Sequence, residues 1–183
     1  MKKIPYFIVL LLFISCGIQK EKNQFKESPI HYATVNTDYN LELPNNWKSY
    51  KDLHNQTSYK PKDQKGLYPD NQITFQKIEV DKSKIKSIED IVNYKSNNKK
   101  YLKNYRKNVT TVTSRFGKTI ITDISFILNN KTSIVRSTYF KTNDNYYSIS
   151  FYSNPYSFNK YIEDFKYVFD NLTFGKKTTT SSK

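Results

Sequence analysis

The sequence predicts an α+β domain, an antiparallel β-meander with two helical stretches, behind an N-terminal export segment and a polar tether. Three observations carry this prediction. Between residues 119 and 153, three strand-like runs, the first and third with apolar residues sharing a face, are parted by Asn-rich turns, as in an antiparallel meander. Near the C-terminus, Phe158, Ile162, Phe165, Phe169 and Leu172 recur at steps of four, three, four and three, one apolar stripe of a helix. A second helical arc, Ile88, Ile91, Val92, Leu102 and Tyr105, follows the start Ser87-Ile88-Glu89-Asp90. A chain of 183 residues has room for one such domain with its own core.

The N-terminal segment comes first. Lys2 and Lys3 precede an apolar run from Ile4 to Ile14, which then meets Ser15, Cys16 and Gly17. A membrane-spanning helix needs about 20 apolar residues, so this run is too short to span and has the layout of an export signal. Leu12-Phe13-Ile14-Ser15-Cys16-Gly17 resembles the lipobox of bacterial lipoproteins, with Phe13 where Leu, Val or Ile is usual. The looser lipoboxes of Bacteroidota tolerate that departure. The resemblance implies removal of residues 1–15 and lipidation of Cys16, the only cysteine. It also implies anchoring in the lipid bilayer through the acyl chains. Residues 17–28 are polar and charged, so 16–37 is expected to be lipidated cysteine plus disordered tether. Gln19-Lys20-Glu21 resembles the short label that sends Bacteroidota lipoproteins to the cell surface. The expected location is therefore the cell envelope, as an outer-membrane lipoprotein facing the periplasm or the surface.

The domain is expected over residues 38–174. Tyr39 to Leu43 alternates and turns at Pro44-Asn45-Asn46 into Trp47. Residues 51–72 are polar, with Pro and Gly, and are expected to form a long loop; Ile73 to Val80 is the next strand. The helical arc from Ile88 is broken by Lys95 and by Ser96-Asn97-Asn98, so either one helix or two shorter pieces fit. Val109 to Phe116 is rich in Thr and Val and reads as strand. Thr119 to Leu128 places Ile120, Ile124, Phe126 and Leu128 on one face, and Asn129-Asn130-Lys131 turns it into Ser133 to Phe140. Thr142 to Asn145 makes the next turn, and Tyr147, Ile149 and Phe151 share a face of the following strand. Asn154-Pro155 caps and opens the last helix. Residues 175–183 are expected to be a frayed tail.

This order, with "LELPNNW" and the ending "YSISFYSNPYSFNKYIEDFKYVFDNLTF", resembles PsbP-like domains over roughly residues 38–174. The resemblance implies an antiparallel β-sheet sandwiched by helices and a binding or assembly role, and it transfers no catalytic residue.

The charge is +14, and of 30 Lys and Arg all but Arg106, Arg115 and Arg136 are lysine. Lysine is a hydrated point charge, whereas planar arginine suits bidentate reading of phosphate, so nucleic acid is not the expected partner. The 16 Tyr and 12 Phe, with abundant Asn and Lys, also suit an AT-rich coding bias. In residues 94–107, read as helix, Lys100, Lys103 and Lys107 fall on one side and Tyr94, Tyr101 and Tyr105 on another. That side is the candidate basic surface, for an envelope protein or an acidic glycan.

Catalytic signatures are missing. His31 and His54 are the only histidines, and no HExxH, paired CxxC, GxSxG or Gly-rich phosphate loop occurs. No catalytic residue, metal or cofactor is expected. The sequons at Asn55, Asn108, Asn130 and Asn171 follow from Asn and Thr abundance. The expected function is that of a noncatalytic, membrane-anchored binding or assembly module of the envelope. An envelope hydrolase acting on glycans and an adhesin-like surface protein are the alternatives.

Overall fold

A computed structural model describes residues 28–35, 39–66 and 69–175. The expected export segment 1–15, Cys16, the expected tether through residue 27 and the expected tail from residue 176 lie outside the described residues.

Ten strands and two helices follow one another: β1 (Ile30–Ala33), β2 (Tyr39–Asn40), β3 (Trp47–Lys51), β4 (Thr57–Pro61), β5 (Gln72–Val80), α1 (Ile88–Asn97), β6 (Lys103–Ser114), β7 (Gly117–Leu128), β8 (Lys131–Thr142), β9 (Asn145–Ser153), α2 (Pro155–Asp170) and β10 (Thr173–Phe174). The main sheet is antiparallel in the order β3-β4-β5-β9-β8-β7-β6. β1 pairs with the far end of β5 through Ile30↔Val80 and Tyr32↔Ile78, and β2 pairs with β10 as a small separate ribbon.

The hairpins follow from turn chemistry. Asn129 and Asn130 hold φ of 50° and 60°, and Asn143 and Asp144 hold 47° and 58°. Two left-handed residues in a row make the type I′ turn whose twist matches a hairpin, and Asn and Asp tolerate that region best after Gly.

Alternation along the strands sorts side chains onto two faces. One face carries Phe75, Phe140, Tyr147, Ile149 and Phe151, and α2 covers it with Tyr161, Phe165 and Val168, joined by Trp47, Tyr59 and Leu172. The other face carries Ile78, Ile120 and Tyr139, covered by Ile85, Ile88, Ile91 and Val92 from α1 and by Ile30. An aromatic core and an isoleucine core thus lie on opposite sides of one sheet. Each fully buried large side chain contributes about 1.5–3 kcal/mol of transfer free energy.

Both helix starts are as the sequence predicts. Ser87 Oγ accepts from the Asp90 N–H at 3.1 Å, while an Asp90 carboxylate oxygen accepts from the Ser87 and Lys86 N–H groups, each at 2.9 Å. These bonds close a capping box and hold the Asp90 pKa below its ordinary value, the Lys86 backbone bond being the largest cause. Ser87→Ala should therefore cost about 1 kcal/mol, read as a lowered urea midpoint at unchanged slope. Asn154 caps α2 by accepting from the Tyr156 and Ser157 N–H groups at 2.9 and 3.0 Å, with Pro155 at the first helical position.

Four elements differ from expectation. The expected loop 51–72 contains β4, whose buried Tyr59 packs in the aromatic core. Its exposed flanks hide the short run. β1 lies within the segment expected to be tether, and Ile30 alone anchors it in the α1-side core. The middle helix stops at Asn97, and residues from Lys103 belong to β6. Asn98 caps α1, Lys99 and Lys100 lie in the turn, and the Val- and Thr-rich stretch from Val109 to Thr113 carries the strand that follows. On α2 the fully buried positions are Tyr161, Phe165 and Val168, so the stripe is centred one residue off the predicted one. Phe158, Ile162 and Phe169 border it half-buried.

Candidate functional site

α2 crosses the aromatic face over β8 and β9 and meets the long β6–β7 hairpin only at its turn, through Arg115 and Phe116. The uncovered angle between helix and hairpin forms a cleft of about 430 Å3. Its apolar walls are Phe165 and Phe169 from α2 and Val112 and Ile121 from the sheet, with Thr138 in the floor. The volume lies in the range of small-ligand sites, which are mostly apolar with a few fixed polar groups.

The polar groups here are arginines at the rim. Arg115, in the β6–β7 turn, donates through Nη1 to the Asp170 carbonyl and through Nη2 to the Phe169 carbonyl, at 2.6 Å for the latter. It caps the C-terminal end of α2, where free carbonyls gather. Carbonyls satisfy its N–H groups without cancelling its charge. Its guanidinium also lies over the Phe116 ring, 4.8 Å from the centroid. Arg136 is different: Nε and Nη2 grip both carboxylate oxygens of Asp123 at 2.6 and 2.8 Å. That bidentate pair holds the guanidinium pKa above its ordinary value. Lys166, at the rim, is paired with Glu163 at 2.8 Å in the open. The cleft therefore offers an aromatic slot, hydroxyls and, beside Asp170, one arginine that forms no salt bridge among the described residues.

Sequence reasoning passed over these arginines, although their scarcity was the available signal. All three lie along the β6–β8 wing, Arg115 and Arg136 at the cleft and Arg106 in a neighbouring groove with Asp123. The predicted basic trio is placed otherwise than on one helix face. Lys100 is in the turn after α1, Lys103 opens β6, and a bulge before Arg106 resets the register ahead of Lys107. All three are exposed, and Lys107 Nζ donates to Ser96 Oγ at 2.8 Å, tying the strand to the end of α1. His31 stands opposite Glu79 at the edge of β5, and the His54 N–H caps Asp52 in the β3–β4 turn. Among the described residues no three His, Cys, Asp or Glu side chains gather as a metal site.

Two other clusters stand out. Beneath the end of α1, Lys95 Nζ lies 4.6 Å from the Tyr32 ring centroid and 5.0 Å from that of Tyr139. Half-buried Lys99 is one turn further on, and burial, with Lys95 adding repulsion, pushes its pKa down to about 8. At the opposite side of α2, Glu42, Glu163 and Asp164 line a shallow groove. Each is engaged: Tyr167 donates its hydroxyl to Glu42, Lys166 holds Glu163, and Asp164 accepts from Trp47 Nε1 at 2.8 Å and Asn46 Nδ2 at 3.2 Å. The Glu42 bond raises the Tyr167 pKa.

No family model and no curated protein matches this chain in sequence. Solved structures do match in shape. LpqN of Mycobacterium tuberculosis, described as involved in cell envelope biogenesis, superposes with a TM-score of 0.56 at 11% identity, over 81% of this chain and 93% of its own. The cyanobacterial PsbP protein of Synechocystis (CyanoP) gives 0.55 at 8% identity, over 80% of this chain and 93% of its own. The fold is PsbP-like. A Pseudomonas aeruginosa protein of unknown function gives 0.50 at 12% identity, over 72% of this chain and 99% of its own. Identities this low concern architecture alone. Within the PsbP-like sandwich, the cleft is the feature that the sheet, helix and hairpin build together.

Proposed function

We propose that the chain is a noncatalytic envelope lipoprotein, held to the bilayer by acylated Cys16, that binds an anionic amphiphile in the cleft beside α2. The carrying observation is the junction of the Phe165–Phe169 wall with Arg115, which is held by backbone carbonyls and forms no salt bridge among the described residues, Asp170 lying at the same rim. An apolar or aromatic body would fill the slot, and a carboxylate or phosphate end would meet the guanidinium. The envelope assignment rests on the lipobox-like sequence at Cys16, and the envelope role described for LpqN supports it by analogy of fold.

The test is calorimetric titration of the full chain with dodecanoate. Binding should be one-to-one, and Val112→Trp, which fills the mouth from an exposed position, should weaken it at least about tenfold. No heat, or equal binding by V112W, sinks the cleft reading. Intact mass of the purified protein tests the anchor separately: the mature chain should begin at Cys16 and carry acyl mass.

A further inference from the structure

β6 ends the sheet, and among the described residues no strand pairs with its outer side. Which of its backbone groups face outward follows from register. The type I′ turn at Asn129-Asn130 makes Leu128 and Lys131 a hydrogen-bonded pair, so the even-numbered residues of β7 bond to β8. Its odd-numbered residues then bond to β6, and through Thr119↔Val112 and Ile121↔Thr110 the even-numbered residues of β6 face inward. Lys107, Val109, Thr111 and Thr113 therefore turn both N–H and C=O away from the sheet.

This open edge is long, and its stretch from Asn108 to Ser114 (NVTTVTS) is uncharged, β-branched and without proline. Isolated edges of that kind are normally protected by inward charge, a bulge or a covering loop. The bulge here sits at the far end, between Lys103 and Arg106. Charge brackets the open stretch instead. Lys100, Lys103, Arg106 and Lys107 lie at one end and Arg115 at the other, and β6 contains no Asp or Glu. A second copy fits poorly, because the twofold arrangement centred on Thr111 sets Lys107 against Arg115. The chain's own tail after Gly175 is also basic, with Lys176, Lys177 and Lys183.

We infer that β6 is a docking edge for an extended segment of a partner protein, with β-branched residues at its centre and carboxylates at its ends, which adds as a further antiparallel strand. Main-chain bonds to Lys107, Val109, Thr111 and Thr113 supply the pairing, and the flanking cations select an acidic partner. Lys100, Lys103 and Lys107 then act together along one strand approach, which a helix face would not provide. The edge shares Arg115 with the cleft, but the inference does not need a ligand there.

The probe is a capped synthetic peptide, Glu-Glu-Thr-Val-Thr-Val-Thr-Glu-Glu, and its control is the same peptide N-methylated at alternate residues so that it cannot pair. Added to the full chain, the first peptide should slow hydrogen exchange in the segment covering β6 by about tenfold, and the control should not. Thr111→Pro removes one outward N–H while sparing the β6–β7 ladder, and should weaken peptide binding at least about tenfold. Lys103→Glu with Lys107→Glu, at exposed positions, should do the same without touching the edge backbone, and raising the salt should weaken binding in the wild type. Equal binding of the N-methylated peptide, protection that falls outside β6, or a dimer in sedimentation velocity that T111P abolishes would each overturn the inference.

Discussion

Phe140→Ala is expected to cost about 3–5 kcal/mol. Phe140 is fully buried on β8, where the end of the β7–β8 sheet, the last turn of α2 and the β2–β10 ribbon converge. Its ring stacks on Phe116 at 4.5 Å and on Tyr147 at 5.7 Å, and meets Phe169 edge-on at 5.7 Å. Phe75 and Phe174 complete the shell at 6.5 and 6.3 Å. Rings at such separations add about 0.5–1.5 kcal/mol per pair beyond area burial. Strands cannot close readily over the void, because Phe75 and Tyr147 are fixed by sheet pairing.

The measurement is equilibrium urea unfolding of wild type, Phe140→Ala and Phe140→Leu. Leu keeps most of the volume and should cost less than half as much as Ala. A loss below about 1 kcal/mol for the alanine variant would mean that the cluster collapses on itself and does not organise this end of the fold. The same substitution frees Phe116 and Phe169, which brace Arg115 and the cleft wall, so dodecanoate binding should fall along with stability.

The history of these residues in the sequence shows what was legible and why. Phe151 stood in alternation with Tyr147 and Ile149, and the Asn-rich turns announced the meander, because turn chemistry and a period of two are local signals. The capping box at Ser87 and the Asn154-Pro155 start were legible for the same reason. β4 was not, since Lys60 and Pro61 interrupt its apolar character and its only large core residue is Tyr59. Lys95 disguised the end of α1, because a lysine facing two tyrosine rings breaks the apolar stripe that marks a helix. The cleft was beyond local reading altogether. It arises between a hairpin and the helix that touches it only at the turn, where Arg115 meets the end of α2 across more than 50 residues of sequence. Charge counting pointed to the lysines and away from the arginines, which are few but placed where geometry matters.

Lys99→Met is expected to raise stability at neutral pH by about 1–2 kcal/mol, roughly half of what its full pKa displacement would give, since the side chain keeps some solvent. Lys99 is half-buried beyond the end of α1, Lys95 is the neighbouring charge that opposes it, and no carboxylate pairs with it among the described residues. Burial first and Lys95 second push its pKa from an ordinary 10.5 down to about 8. Below about pH 8 the folded and unfolded chains both carry the proton, and the folded state bears the desolvation and repulsion. Between about 8 and 10.5 the folded chain has released it while the unfolded chain still holds it. Unfolding then takes up a proton, so the Lys99 contribution stabilises progressively as pH rises. The advantage of K99M should accordingly shrink from pH 7 to about pH 9.5. Burial pushes Tyr32 and Tyr50 up to about 12, and their contribution has the opposite sign above about pH 10, which sets the upper limit of the comparison. Urea midpoints of wild type and K99M across that window decide the matter. A difference that stays constant or grows with pH would show that Lys99 is solvated in the folded state and that methionine acts through packing alone.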